Sequence, residues 1–91
     1  MSVTVRIPTP LRIVTNGVAK AEVEGNTLSE AIAILEVQFP GVQERLMDET
    51  GELRHFVNIY INGEDVRFLD GLSTSIKSGD EVSIVPAVAG G

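Results

Sequence analysis

Apolar and polar residues alternate in four segments of the chain, and this alternation predicts half-buried β-strands. The segments are residues 3–7 (Val-Thr-Val-Arg-Ile), 19–23 (Ala-Lys-Ala-Glu-Val), 56–61 (Phe-Val-Asn-Ile-Tyr-Ile) and 80–86 (Asp-Glu-Val-Ser-Ile-Val-Pro). Successive side chains of a strand point to opposite faces, so a period of two buries one face and exposes the other. The turn dipeptide Asn16-Gly17 lies between the first two segments, and we expect these strands to form a hairpin with a long connection.

Between the second and third segments the apolar residues recur every three or four positions, which predicts an amphipathic α-helix. Thr27 is a candidate N-cap, and Glu30 follows it at the spacing of a capping box. Pro40-Gly41 ends the predicted helix, which therefore spans Thr27–Phe39, and residues 42–47 are expected to add a further short turn. The apolar stripe consists of Leu28, Ala31, Ile32, Leu35 and Phe39.

The segment before the last strand contains turn residues and isolated apolar positions. Asn62-Gly63 predicts a tight turn, after which we place Val66 and Phe68 on a short return strand. Residues 69–79 are expected to form a loop that is anchored by a buried Ile76.

Two strands, one helix and then further strands is the element order of the ubiquitin-like β-grasp fold, which belongs to the α+β class. We expect a single domain over residues 1–91, with a mixed sheet, one main helix packed across one face, and a flexible tail at residues 87–91. If the first and last strands pair in the middle of the sheet, they run parallel and the helix lies in the crossover between them. Two separate hairpins with an unrelated helix are the alternative.

One face of the predicted sheet carries a candidate partner site. If the odd-numbered residues of 57–61 face the helix, alternation places Phe56 and Tyr60 on the opposite face, and Val85 of the last strand points to the same side. Exposed apolar groups of this kind often mark contacts with other proteins. The alternative is that the loop of residues 69–79 covers them.

The charge and composition of the chain disfavour some classes of binding partner and favour others. The net charge is −6 and the sequence pI is about 4.5. Nucleic acids and anionic membranes are disfavoured because the chain lacks a basic stripe for phosphate groups. A positively charged partner surface is favoured instead. The chain has no cysteine, which excludes disulfides, zinc–thiolate sites and thiolate catalysis. With neither a signal peptide nor an apolar segment of membrane-spanning length, a cytoplasmic location is expected.

The sequence predicts no catalytic site and no metal site. His55 is the single histidine, and no nucleophile or acid lies at a spacing that would join it. The carboxylates cluster near turns, where we expect them to solvate loops or to steer a partner rather than to form an acid–base pair. These residues are Glu49, Glu52, Glu64, Asp65, Asp70, Asp80 and Glu81.

Gly90-Gly91 comes directly behind the last predicted strand, and this placement makes the end of the sequence a candidate reactive group. We expect the strand to hold the base of a tail, so that Ala87, Val88 and Ala89 carry the glycines up to about 17 Å away. A glycine tip can enter a narrow channel because it lacks a Cβ atom. The Gly91 carboxylate is therefore the predicted reacting group, and residues 87–90 are predicted to thread into a partner.

Taken in order, these elements resemble the ubiquitin-like sulfur-carrier proteins of the ThiS and MoaD family, and the resemblance runs from end to end. It rests on the leading strand, the capped helix, the strand with its Asn-Gly turn, Gly-Asp-Glu-Val at residues 79–82, Pro86 and the final Gly-Gly. Within the family, residues 44–48, 56–60, 64–68 and 86–91 look most like the CysO type, the carrier of a thiocarboxylate-dependent cysteine biosynthesis.

The resemblance implies a carrier that serves other enzymes as a co-substrate and is not itself an enzyme. An E1-like enzyme, using ATP and magnesium that this chain does not bind, would adenylate the Gly91 carboxylate, and a sulfur donor would convert it to a thiocarboxylate. In the CysO branch, a pyridoxal-phosphate-dependent (PLP-dependent) cysteine synthase and a metallopeptidase would complete the cycle. The free carrier is expected to be a monomer.

Other functions remain open for the same tail. A MoaD-like carrier would lodge it in a catalytic subunit for molybdopterin synthesis, and a ubiquitin-like protein modifier would be joined through Gly91 to lysines of target proteins. A third alternative is a β-grasp interaction module in which the Gly-Gly end is incidental.

Overall fold

The structure, a computed structural model, describes residues 2–55 and 57–86. Its strands are β1 (Val3–Arg6), β2 (Lys20–Val23), β3 (Val57–Ile61), β4 (Glu64–Asp65) and β5 (Glu81–Pro86), and its helices are α1 (Leu28–Gln38) and α2 (Val42–Leu46). Short 3₁₀ turns cover Thr9–Leu11, Val66–Phe68 and Gly71–Ser73. The predicted order of two strands, a main helix and further strands is confirmed.

The strands form one mixed sheet in the order β2-β1-β5-β3-β4. β1 and β5 run parallel in the middle, with Val5 opposite Val82, while the other neighbouring strands are antiparallel. A parallel pair needs a crossover connection, and α1 lies within it. The β-grasp arrangement is therefore confirmed, and the alternative of two separate hairpins is wrong. β2 begins at Lys20, one residue later than predicted.

α1 packs its apolar stripe against one face of the sheet. The Thr27 hydroxyl accepts a hydrogen bond from the backbone N–H of Glu30 at 3.3 Å, which confirms the N-cap. The Glu30 carboxylate accepts in return from the N–H of Asn26 at 2.9 Å rather than from that of Thr27, so one half of the capping box is displaced by a residue. The buried stripe consists of Leu28, Ala31, Ile32 and Leu35, with Phe39 partly buried beside it.

The Asn62-Gly63 turn is confirmed, but the return strand is shorter than predicted. Both turn residues have positive φ angles, 51° and 88°, as a two-residue hairpin turn of type I′ requires. β4 contains only Glu64–Asp65, and the placement of Val66 and Phe68 on it is wrong because they belong to a 3₁₀ turn. The Asp65 carboxylate caps this turn by accepting from the backbone N–H two residues later at 2.8 Å, which ends the strand.

The loop of residues 69–79 lies against the N-terminal end of α1. The Leu28 N–H donates to the carbonyl of Thr74, and the Ile76 N–H donates to the carbonyl of Asn26, both at 3.0 Å. Ile76 is buried, as predicted. These bonds place the loop on the helical side of the sheet.

Candidate functional site at the end of the central strand

Pro86, the last described residue of β5, lies at one end of the central part of the sheet, and we call this end the tail base. β1 and β5 end here while β3 begins here, because β5 runs parallel to β1 and antiparallel to β3. Pro86 pairs directly with Val57. The predicted reacting residue Gly91 lies outside the described residues, and so do the predicted threading residues Ala87, Val88, Ala89 and Gly90.

Arg67 reaches from the 3₁₀ turn after β4 to the tail base. Its guanidinium donates to the backbone carbonyls of Val57 at 2.7 Å and Arg54 at 3.2 Å, and to the side-chain oxygen of Asn58. β4 pairs only with the far end of β3, so the Arg67 side chain supplies donors to backbone carbonyls that β4 does not reach. No sequence signal marks this residue, since its backbone partners lie 10 and 13 positions away.

Tyr60 and Val85 lie, as predicted, on the sheet face opposite α1. Val85 is 44% exposed and Tyr60 is half-buried. They are diagonal neighbours, because Val85 pairs with Asn58, and this brings their side chains within reach of each other. The third predicted member of this face, Phe56, lies outside the described residues. The loop of residues 69–79 leaves Val85 exposed, and a partner role for this face stays a prediction.

A shallow groove of about 510 Å³ lies beside the tail base. It is formed where the segment after β1, the helix α2 and the start of β3 meet. The backbone N–H of Arg54 donates to the carbonyl of Leu46 at 3.0 Å, which holds the last two segments together. The groove is lined by the apolar residues Pro10, Leu11, Val57 and Pro86 and by the charged residues Glu44, Arg45 and Arg54. Sequence reasoning did not assign either arginine to a site, because tertiary packing alone joins these segments.

Several carboxylates bind backbone N–H groups, and this is a structural role. Glu36 accepts from the N–H groups of Gly41 at 3.1 Å and Gln43 at 2.8 Å, at the N-terminal end of α2. Its negative charge there satisfies donors that have no partner within the helix.

Two aspartates have lowered pKa values because donors surround their charged form. The Thr50 hydroxyl at 2.6 Å, with the N–H of Glu52 at 3.2 Å, holds the pKa of Asp48 below its ordinary value. The side-chain amide of Asn62 at 3.0 Å, with the backbone N–H of Lys77 at 2.9 Å, lowers the pKa of Asp80. Both carboxylates therefore hold turns in their ionised form.

Other kinds of site find no support in the part of the chain that the structure describes. His55 is exposed in the turn before β3. Within residues 2–55 and 57–86, no cluster of three or more His, Cys, Asp or Glu side chains is arranged to hold a metal ion. The helices found there are too short or too polar to cross a membrane. The tail base is therefore the candidate functional site.

Known proteins match this chain closely. It is 54% identical to the sulfur carrier protein CysO of Mycobacterium tuberculosis, over the full length of both chains. It is 40% identical to small archaeal modifier protein 3 of Haloferax volcanii over 65 residues. This aligned region covers 71% of this chain and 70% of that protein. A chain of the Amycolatopsis orientalis BexX/CysO complex superposes with a TM-score of 0.92 at 47% identity, covering 98% of this chain and 99% of the other.

The family match extends over nearly the whole sequence. Residues 5–91 match the ThiS family, a range that includes the strands β2 to β5, both helices and the Gly-Gly end. The structural superposition with the CysO complex supports the same assignment and the β-grasp fold. The resemblance seen in the sequence is thus confirmed, and the chain belongs to the ThiS family.

Proposed function

We propose that this protein is a sulfur carrier of cysteine biosynthesis, in which Gly91 carries the sulfur as a thiocarboxylate. The observation that carries the proposal is the 54% identity to the sulfur carrier protein CysO over the full length of both chains. The position of Pro86 at the end of the central strand β5 adds support. The residues that follow Pro86 in the sequence are thus attached to the end of a central strand of the sheet.

The proposed activation takes place on an E1-like enzyme, which supplies the ATP and magnesium. A terminal carboxyl group has an ordinary pKa of about 3.5, so the Gly91 carboxylate is ionised at neutral pH and can act as a nucleophile. One of its oxygens attacks the α-phosphate of ATP, and pyrophosphate leaves. Sulfide, or a donor at the same oxidation level, then attacks the acyl carbon, and AMP leaves with the oxygen. The product is a thiocarboxylate, and no electrons are gained or lost overall.

The sulfur would then pass to a PLP-dependent cysteine synthase. The thiocarboxylate sulfur adds to an aminoacrylate that the synthase holds, an S-to-N acyl shift leaves cysteine amide-linked to Gly91, and a metallopeptidase hydrolyses this amide. The protein is regenerated at the end of the cycle. In this scheme it is a co-substrate of three enzymes and performs no catalysis itself.

The intact mass of the protein tests the proposal. With an E1-like enzyme, ATP and sulfide, the mass should rise by about 16 Da, the difference between a sulfur and an oxygen atom. Fragmentation should place the change in the peptide after Lys77, since the chain has no cysteine that could hold a persulfide instead. A reaction without ATP is the control. A mass gain that does not need ATP, or that maps before Lys77, would contradict the proposal.

The similarity to small archaeal modifier protein 3 favours a second candidate function, conjugation of Gly91 to lysines of other proteins. Lys77 is the last lysine or arginine of the sequence, so trypsin would leave residues 78–91 attached to a modified lysine. Mass spectrometry of trypsin-treated cell lysates should therefore search for this remnant. Cells that produce the protein without Gly91 are the control. Its absence from wild-type lysates would leave the carrier function alone.

A further inference from the structure

The groove at the tail base combines an apolar floor with a charged rim. Leu11 and Val57 are buried beneath it, and Pro86 forms the edge from which the chain leaves β5. Arg45 belongs to α2, and Arg54 belongs to the segment between α2 and β3; both line the groove. Pro86, the last described residue of β5, therefore lies beside this groove.

The two guanidinium groups at the rim are available to a partner. Within the described ranges, neither has a carboxylate at ion-pair distance. Arg45 is exposed. Arg54 donates through Nε to the backbone carbonyl of Glu44 at 3.0 Å, which orients its guanidinium without neutralising it. Its charge contributes a little to the lowered pKa of Asp48, but the two side chains form no ion pair.

Acidic residues gather in two places outside the groove. One lies beside it, where Glu36, Asp48 and Glu49 line a second hollow together with Glu44 and Arg54. At the opposite end of the sheet, where β5 begins and β3 ends, the topology collects Glu24, Glu64, Asp65, Asp80 and Glu81. The groove itself is lined by two basic residues, Arg45 and Arg54, and by one acid, Glu44, whereas Arg6 at the end of β1 is paired with Glu81 at 3.6 Å. The net charge of −6 therefore does not describe the lining of the groove.

We propose that this groove binds an acidic segment of the enzyme that receives the tail, with carboxylates paired to Arg45 and Arg54 and an apolar side chain on the floor between them. The inference rests on the proposed carrier function for the identity of the partner. The net charge of the whole chain favoured a positively charged partner surface, whereas the groove favours a negatively charged segment. The difference arises because the local surface, and not the net charge, determines which groups meet at an interface.

A peptide titration tests the groove without any enzyme. The probe is acetyl-Glu-Glu-Leu-Glu-Glu-amide, added to the ¹⁵N-labelled full chain at low salt, with amide shifts followed by NMR. We expect saturable shifts that centre on residues 44–46, 54 and 57. The double variant Arg45→Gln/Arg54→Gln should bind about tenfold more weakly, as the loss of two exposed ion pairs implies. Arg45→Lys/Arg54→Lys should bind like the parent.

Two controls separate the groove from general charge effects. Lys77→Gln removes one positive charge at the far end of the sheet and should leave the titration unchanged. The peptide acetyl-Lys-Lys-Leu-Lys-Lys-amide should shift the acidic end and not the groove. The single variant Arg45→Gln removes no described hydrogen bond, so we expect it to fold like the parent. It should still weaken peptide binding about threefold, which would show that the weaker binding does not come from a folding defect.

The outcomes are distinct from those of the thiocarboxylate assay, because the titration needs neither ATP nor sulfide. Shifts at the groove that vanish in the glutamine variant and persist in the lysine variant support the proposal. Shifts elsewhere, equal binding by the glutamine variant, or no binding at millimolar peptide would overturn it. Groove shifts that depend on protein concentration alone would assign the groove to a second copy of this chain and would also overturn it.

Discussion

Arg67 donates a 2.7 Å hydrogen bond to the backbone carbonyl of Val57, the residue that pairs with Pro86 across the sheet. A side chain from a 3₁₀ turn thus holds β3 at the point where the central strand reaches the tail base. The same guanidinium also binds the carbonyl of Arg54, beside the groove. The position from which the tail departs therefore depends on a contact between segments that are distant in sequence.

Loss of this contact should be measurable as a loss of stability. Arg67→Ala should lower the free energy of unfolding by about 1 kcal/mol, because it removes a part-buried hydrogen bond from a charged group to the Val57 carbonyl and an exposed one to the Arg54 carbonyl. Arg67→Lys should recover less than half, since one ammonium group cannot replace a forked donor. Urea unfolding measures both. Arg45→Ala, at an exposed residue, is the control and should change stability by less than about 0.5 kcal/mol. Equal losses for Arg67→Ala and Arg45→Ala would show that the Arg67 contacts are unimportant.

Two residues of α1 provide a matched test of the helix register. Leu35 is 1% exposed and Val37 is 81% exposed. Leu35→Ala should destabilise the domain by about 2–5 kcal/mol through lost burial and a cavity. Val37→Ala should be near neutral or slightly stabilising, because alanine has the higher helix propensity. If the two substitutions cost the same in urea titrations, the helix does not face the sheet as described.

The free energy of unfolding should decrease at acidic pH, and protonation of Asp80 should account for part of the decrease. The Asn62 amide and the Lys77 N–H hold its pKa below the ordinary value, which is about 3.9 for aspartate. A depressed pKa stabilises the folded state above the ordinary value, and this stabilisation disappears as the pH falls through the folded-state pKa. Asp80→Asn should therefore lose less stability than the parent between pH 5 and pH 2.5 in urea titrations. An acid dependence in Asp80→Asn equal to that of the parent would contradict this role.

The groove should influence activation through binding and not through chemistry. With an E1-like enzyme, Arg45→Gln/Arg54→Gln should raise the KM for the carrier about tenfold and leave kcat unchanged, because contacts made equally in ground and transition states affect KM. Lys77→Gln should change neither constant. The assay is steady-state pyrophosphate release. A fall in kcat at unchanged KM would indicate that the arginines act on the reacting groups instead.

Local patterns were sufficient to predict most of the fold. Alternation located β1, β2, β3 and β5 to within a residue or so, and the Thr27 cap and the Pro40-Gly41 end located α1. These features depend on neighbours within one turn of helix or on the two faces of one strand. The parallel pairing of β1 with β5 followed from the element order, since the intervening helix allows the crossover.

The errors and omissions concern contacts between distant segments. Val66 and Phe68 alternate like strand residues, but the Asp65 cap favours a 3₁₀ turn, and Phe68 is 87% exposed. Arg67 and the groove arginines have no local signature, because their positions depend on how α2, the 3₁₀ turn and β3 pack together. The candidate reactive glycines were recognised from the sequence, whereas the surface beside them became visible only in the folded structure.

The central claim is that the Gly91 carboxylate is the group that reacts, and the intact mass of a chain extended by one glycine after Gly91 tests it most directly. The extension moves the carboxylate by about 3.5 Å, while displacements of about 1 Å can cost 100-fold in rate. With the E1-like enzyme, ATP and sulfide, the parent should gain about 16 Da and the extended chain should keep its starting mass. Gly90→Val should also fail, because a branched side chain obstructs a channel that admits glycine, and circular dichroism should show both variants folded. If the extended chain gained the same mass as fast as the parent, the assignment of Gly91 as the sulfur-carrying residue would be wrong.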